Sequence, residues 1–408
     1  MPVKPDKMKD SIKEENVRER FDFQFWLLCA SSFLFFSSFN MMIPELPNYL
    51  TQLGGAEYKG FIISLFTLTA GFSRPFSGKL ADTIGRIPVM VIGASVCFVI
   101  GFVYPMITTV AGFFLLRLFH GFSTGFKPTG TSAYVADVVP FNRRGEAMGI
   151  LGVFGSVGGG VGYAVSSFIV NNFTLNALFY TSSFVAIFSI IILLGMKETL
   201  PDAQRFQWHQ LYIHRHEILE PRVKAPSIIL LLTTFSYGIV LTIIPDFSVY
   251  LGMSNKGLFL ASFIAASMLV RVIAGRMSDK YGRVRILRYS ILLLMVSMIL
   301  VGASHNIIFF LVNGAILGAS VGMNTPTLFA WTIDLSDPLH RGRAVATMYI
   351  ALEVGIGLGA VVSGFMFNNV MERIPLTFYT GALLAGIAFL YLEFVYLRKQ
   401  AAHEQSKN

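Results

Sequence analysis

The sequence predicts an all-α membrane protein: twelve transmembrane helices in two pseudo-symmetric six-helix bundles. Three observations carry that expectation. Of the 408 residues, 54% are hydrophobic and only 13% charged, with a mean hydropathy of +0.63, more apolar than a soluble fold of this size requires. Twelve apolar segments follow one another, each about 20 residues long, which at ~1.5 Å per residue crosses a hydrocarbon core about 30 Å thick. The chain also repeats itself. Gly78-Lys79-Leu80-Ala81-Asp82-Thr83-Ile84-Gly85-Arg86 returns as Gly275-Arg276-Met277-Ser278-Asp279-Lys280-Tyr281-Gly282-Arg283, at an offset of 197. The same offset relates Arg74 to Arg271, Gly121 to Gly318, Gly125 to Gly322, Asp137 to Asp334, Arg144 to Arg341 and Gly145 to Gly342, with no gap between residues 59 and 148. One offset held over that length marks a duplicated unit.

Taken in order, residues 1–22 form a polar tail that mixes lysine and glutamate and lacks the apolar core and cleavage site of a secretory signal. The first bundle occupies 23–196, with spans near 23–43, 60–78, 87–107, 111–138, 146–170 and 175–196. Residues 197–226 turn polar and histidine-bearing, and are expected to be a linker with a short amphipathic helix. His209, His214 and His216 within it could converge in part on one helix face as a metal cluster, but their i, i+5, i+7 spacing matches ligand templates only loosely, so they are read as solvated and no metal is expected. The second bundle occupies 227–397, with spans near 227–245, 258–275, 285–304, 307–334, 343–367 and 376–397, and 398–408 is a second polar tail.

The net charge of +9 matters less than where the cations lie. One side of the spans collects Lys79, Arg86, Arg143, Arg144, the linker, Arg276 to Arg288, Arg341, Arg343, Arg398 and Lys399, and the other has little beyond Lys59, Lys256 and Arg373. The positive-inside bias puts the loaded side and both termini in the cytoplasm, and the chain is expected in the inner (plasma) membrane. The only cysteines, Cys29 and Cys97, sit in apolar runs, so neither a disulfide framework nor a metal cluster is expected.

The repeated G-x-L-A-D-x-x-G-R pattern between the second and third spans resembles the signature loop of the major facilitator superfamily, and the similarity covers nearly the whole chain. Within that superfamily, Arg117-Leu118-Phe119-His120-Gly121-Phe122-Ser123-Thr124-Gly125 resembles the R-x-x-x-G-x-x-x-G motif of the twelve-span drug/proton antiporters. Span five departs from them: Gly155-Ser156-Val157-Gly158-Gly159-Gly160-Val161-Gly162 lacks the proline of their antiporter motif. The resemblance implies that Asp82, Arg86 and Asp137, mirrored by Asp279, Arg283 and Asp334, form charge relays that latch the cytoplasmic gate in the outward-facing state. It implies that Arg117 supports proton coupling, and that a monomer suffices.

Other candidates follow from the cost of ionisable groups inside spans. Lys127 lies deep in span four beside Pro128 and Gly130, and its repeat counterpart is the neutral Asn324, so it is a candidate for an anionic substrate group or a carboxylate partner. Glu353 falls about 16 Å into span eleven, near the bilayer middle, where a carboxyl able to gain and lose a proton could couple transport to a proton gradient. Its counterpart is Ser156. His120 shares a face with Arg117 and titrates in the physiological range when unperturbed. Glu45 and Asp246 correspond at an offset of 201, the first half having four extra residues in 52–58, and should stand opposite each other at the outer mouth. Asn40, with Phe33, Phe35, Phe36 and Phe39, is a candidate for the cavity wall. Arg74 and Arg271 are expected to brace the inner ends of spans two and eight, and Asp82 to sit near a helix N-terminus.

The predicted function is secondary transport by alternating access: proton-coupled efflux of a small organic or drug-like solute, with protons, solute and the lipid bilayer as partners. Two alternatives share the fold, namely a symporter importing a sugar, organic acid or metallophore, and a non-transporting receptor. No G-x-x-x-x-G-K-[ST] loop and no nucleophile and base constellation is present, so neither nucleotide drive nor an enzyme is expected, no cofactor beyond the proton gradient is needed, and no nucleic acid is a partner.

Overall fold

The computed structural model describes residues 21–140, 143–212, 219–336 and 341–405. Residues 1–20 of the N-terminal tail, His214 and His216 of the linker, and the last three residues of the C-terminal tail lie outside them. Among the described residues are twelve helices of 18 residues or more: α1 Phe23–Met42, α2 Gly60–Thr83, α3 Arg86–Val103, α4 Val110–Val138, α5 Arg144–Asn172, α6 Leu175–Leu194, α7 Lys224–Tyr250, α8 Leu258–Tyr281, α9 Arg283–Gly302, α10 Ile307–Leu335, α11 Arg341–Phe367 and α12 Ile374–Gln405. A short helix, Leu46–Gln52, continues α1. The linker shows two 3-10 turns, Trp208–Leu211 and Pro221–Val223, and α12 runs on to Gln405, past the expected end at 397.

Nine of the twelve are long and apolar enough to cross a membrane alone, or ten counting α8, which bends by 42° between Arg271 and Ile273. The two that fail the test are α2 and α4, the helices that carry Arg74, Lys79 and Asp82, and Arg117, His120 and Lys127. They pack on each other, and α2 also on α11, so Arg74, Arg117, His120 and Lys127 are buried in protein, while Lys79 and Asp82 lie at the loop end.

The duplication is visible contact by contact. In the first half α1 packs on α5 and α6, α2 on α4, and α3 on α4 and α6; in the second α7 packs on α11 and α12, α8 on α10, and α9 on α10 and α12. Small residues set these approaches, as membrane helix packing requires. A Cβ on Gly121 would lie 2.2 Å from the Phe66 carbonyl oxygen, and one on Gly318 would lie 2.0 Å from that of Phe263, the equivalent residue. Helix starts recur too, since Thr109 caps α4 by accepting from Gly112 N–H and its counterpart Asn306 caps α10 by accepting from Phe309 N–H. Between α2 and α3 the chain turns at Gly85 (φ 119°) and between α8 and α9 at Gly282 (φ 92°), backbone that side chains other than glycine resist.

The halves meet through α2 with α11 and α5 with α8, and they meet unevenly. At the end away from the signature loops, a Cβ on Gly257 would lie 1.8 Å from the Tyr163 carbonyl oxygen and one on Gly364 would lie 2.6 Å from Gly60 Cα. At the loop end, Gly78, Gly149 and Gly275 have nothing within 4 Å of such an atom. The largest apolar core crosses between halves at the far end, through Met41, Leu46 and Tyr49 with Ile244 and Phe247. Near the loops the first half keeps a separate core of Phe25, Leu28, Ile87 and Leu193. Both cysteines are buried, free thiols.

Replacing Gly121 by alanine should lower the stability of the purified protein by about 1–2 kcal/mol, because a backbone clash of this kind outweighs the roughly 0.5–1 kcal/mol that alanine gains inside a helix. Gly149→Ala, facing open space, should raise the melting temperature instead. Equal shifts in thermal unfolding of the two variants would contradict the packing described.

Candidate functional site

Between the halves lies a cavity of about 460 Å³, walled by α1, α4 and α5 on one side and α7, α8 and α11 on the other. A second space of about 220 Å³ shares Ser156, Tyr237, Ile264 and Arg271 with it. Asn40 lines the larger space together with Phe36 and Phe39, its amide donating to the Phe36 carbonyl at 2.7 Å. Asn324 lines the smaller one, donating to Thr233 Oγ1 at 2.9 Å. Phe35 lies beneath the wall, fully buried.

Lys127 reaches the cavity from α4 with its side chain 1% exposed. Its Nζ donates to Ser32 Oγ at 3.2 Å and stands 5.2 Å from the centre of the Phe35 ring. No carboxylate pairs with it among the described residues, so of the two partners the sequence allowed, a protein acid is not the one found. The carbonyls around Pro128 are engaged by hydroxyls: Gly125 O accepts from Ser77 and Thr129, and Lys127 O from Thr131.

Glu353 is paired instead with Arg74, at 2.8 Å across the α2–α11 contact. Arg74 therefore does not brace the inner end of α2, as its position in the sequence suggested. It crosses to the other half, its guanidinium 4.1 Å from the centre of the Tyr349 ring. Gly71, where a Cβ would meet Glu353 Cβ at 3.3 Å, lets the two helices come close enough. Glu353 itself does not line the cavity; Tyr349, one turn before it on α11, does. Arg271 corrects the bracing expectation a second time, since it faces the cavity. It makes no hydrogen bond among the described residues and its Nε is buried without a partner.

Glu45 and Asp246 do stand at one mouth, at the far end, but each faces a lysine of the opposite half. Lys256 Nζ lies 2.6 Å from Glu45, and Lys59 Nζ lies 2.7 Å from Asp246. Glu45 also accepts from Ser167 Oγ at 2.6 Å, and Ser167 Oγ accepts the Lys256 backbone N–H at 3.0 Å. Lys59 and Lys256 were missed as site residues although the sequence carried the signal: they are repeat equivalents, and two of the few cations on that side.

The signature relays form, each inside its own half. Arg86 Nε lies 3.0 Å from Asp137 and its Nη1 lies 2.8 Å from Asp82, while Arg283 Nε lies 2.9 Å from Asp334 and its Nη1 also meets Asp279. Asp82 occupies the last turn of α2, not a helix N-terminus. The start of α3 is capped by Glu198 from the linker, which accepts the Arg86 and Ile87 N–H groups, both at 3.0 Å. Nothing around Glu198 repeats in the second half, so periodicity could not have flagged it. At the linker's other end Glu220 meets Arg343 and Thr347 of α11, and the hydrogen bond from Arg343 holds its carboxyl below the usual carboxylate range.

Arg117 and His120 come together inside the first half, away from the cavity wall. Arg117 Nε donates to the Ile62 carbonyl at 2.6 Å, its guanidinium lies 4.7 Å from the centre of the Phe66 ring, and His120 Nδ1 is 3.4 Å from Nη1. Both are fully or almost fully buried.

Two matched six-helix halves, closed on each other at one end and walling a largely apolar cavity that carries Lys127 and Arg271, define a multi-pass secondary transporter. A model of the Major Facilitator Superfamily matches residues 28–270 and 226–408 in two overlapping stretches, and the chain belongs to that superfamily. Among its relatives, multidrug resistance protein 1 of Bacillus subtilis is 22% identical over 374 residues, covering 89% of this chain and 94% of the relative. The staphylopine export protein of Staphylococcus aureus is 21% identical over 355 residues, covering 83% and 88%. A crystal structure of a D-xylose-proton symporter superimposes with a TM-score of 0.74 at 17% identity, over 91% of this chain and 97% of that one, a likeness of fold alone.

Removing one partner of a buried ion pair costs about 3–5 kcal/mol, chiefly because the other charge is left behind. Lys256→Met should therefore destabilise the closed far end and expose a cysteine placed at Ser167 to a membrane-impermeant maleimide. The exchange Glu45→Lys with Lys256→Glu should restore protection. Labelling that stays slow in Lys256→Met would show that the pair does not hold this end shut.

Proposed function

We propose that this protein exports a small organic or drug-like solute in exchange for protons, rocking its halves about the cavity, with the loop end in the cytoplasm of the cell that carries it. The single observation behind this reading is the Arg74–Glu353 pair, a buried charge contact that joins one half to the other beside the cavity. A proton on Glu353 removes the carboxylate charge that Arg74 answers, which loosens α2 from α11. Tyr349 has the Arg74 guanidinium on its face and also lines the cavity, so a solute that moves its ring bears on the same pair. Solute and proton thereby bias one two-state contact, which is the physical requirement for coupling.

Export is supported by the relatives, which are named for multidrug resistance and for staphylopine export. The cytoplasmic assignment rests on the crowding of lysine and arginine at the loop end. The two charge relays, each closed inside its half, are read as rigid clips that keep α2, α3 and α4, and α8, α9 and α10, moving as units, and as the surfaces that meet when the loop end shuts. Arg117 and His120 fit a supporting role in the first half, distant from the exchange step at Glu353.

In liposomes under an imposed pH gradient, the purified protein should drive uphill flux of its solute, and Glu353→Gln should abolish the response to the gradient while leaving solute exchange at equal pH. Gradient-driven flux in Glu353→Gln at the wild-type rate would refute the assignment. For the relays, Asp82→Asn should raise maleimide access to the cavity from the loop end; unchanged access from both faces would remove them from the gate.

A further inference from the structure

The two halves are copies, so each polar group in one has a counterpart whose surroundings show what it is missing. Arg74 and Arg271 are such a pair, and so are Glu353 and Ser156. In one combination the arginine of α2 meets the glutamate of α11 at 2.8 Å. In the other, Arg271 of α8 and Ser156 of α5 face the same cavity, and the arginine has no carboxylate among the described residues. The Nε atoms of both arginines are buried with no acceptor, so the difference between them is the carboxylate alone. The same comparison applies to α4 and α10, where Asn324 is satisfied by Thr233 and Ser290, whereas Lys127 has one neutral partner, Ser32, for three donor hydrogens.

The larger cavity thus carries two cations, one from each half, and no aspartate or glutamate on its described wall. Lys127 is almost fully buried and Arg271 is partly exposed on the cavity, and a charge held away from water is costly unless an opposite charge reaches it. With no such group among the described residues of the wall, an anionic ligand is a source of it. Phe36, Phe39 and Tyr237 supply apolar wall beside the two cations, and a volume of about 460 Å³ suits a ligand of drug-like size.

We propose that the solute is an amphipathic organic anion, its carboxylate held between Arg271 and Lys127 and its apolar body against Phe36, Phe39 and Tyr237. The planar guanidinium fork matches a carboxylate in two-point contact and the ammonium adds a charge from the opposite half. Because the two cations belong to different halves, one anionic group bridges them, and a solute of this class binds best where the halves are near enough for both to reach it. The inference rests on the transport reading for its biological meaning, but not for its test, which measures binding alone.

The test uses the full-length protein in detergent micelles, without any gradient, and three probes of one shape: 2-naphthoate, 2-naphthamide and 2-naphthylmethylammonium. Naphthoate should bind with roughly tenfold or greater preference over both others, the scale of one charge-assisted hydrogen bond. Arg271→Gln and Lys127→Gln should each erase most of that preference, lowering naphthoate affinity by a much larger factor than amide affinity, and Lys127→Arg should retain it. The three-probe comparison on the unmodified protein needs no variant, so a variant that fails to fold does not spoil the result. Equal or tighter binding of the amide or the ammonium overturns the proposal, as does a carboxylate preference that survives Arg271→Gln. Naphthoate binding without gradient-driven flux would count against the transport mechanism and leave this assignment standing; uphill flux of cationic solutes with no carboxylate binding would do the reverse.

Discussion

A charge inside a bilayer persists only where something answers it, and that constraint orders this structure. The acids at the contact between the halves, Glu45 and Asp246 at the far mouth and Glu353 beside the cavity, are each met by a cation of the opposite half: Lys256, Lys59 and Arg74. Two of these pairs close the far end and the third joins α2 to α11 beside the cavity. Helix packing follows the same lines, since the glycines that let backbones touch at that end, Gly60, Gly257 and Gly364, lie beside the paired residues or across the same contact. Where answering charges run out, the halves separate and the cavity begins.

Duplication supplies the frame, and departures from it supply the chemistry. Contacts that set helix spacing are kept in both copies, as with Gly121 against Phe66 and Gly318 against Phe263, because a symmetric bundle needs the same close approach twice. Several groups that face the cavities are not kept: Lys127 answers to Asn324, and Ser156 on the wall answers to Glu353, which is off it, so the two halves present unlike surfaces even though Arg271 keeps the arginine of Arg74. A solute enclosed by unlike walls can be held in one orientation, which a symmetric pair of walls would not enforce.

The uneven seam between the halves also says where motion is cheap. At the far end a shared apolar core and two ion pairs must be given up together for the halves to part, whereas at the loop end the first half has its own core and several glycines face open space. Arg86 and Arg283 each pair with acids of neighbouring helices of their own half on either side of that opening. Such an arrangement favours movement of whole halves over deformation within them.

Legible in the residue order alone are the long helices, two equivalent halves, the positions of the relays, and the ionisable residues Lys127 and Glu353 inside spans. Those features are local or periodic, and apolar length, glycine spacing and one constant offset register them directly. It also held the two lysines of the far end, visible only once their equivalence was connected with that of Glu45 and Asp246. What the tertiary structure alone decided was partnership. Sequence position suggests a brace at Arg74 and at Arg271, but Arg74 is the partner of Glu353, Arg271 faces the cavity, and Glu198, with no periodic signal, caps α3 in place of Asp82. Pairing across 279 positions of chain depends on which faces of two helices meet, and a long arginine side chain spans enough distance that its place in the sequence does not say which way it points.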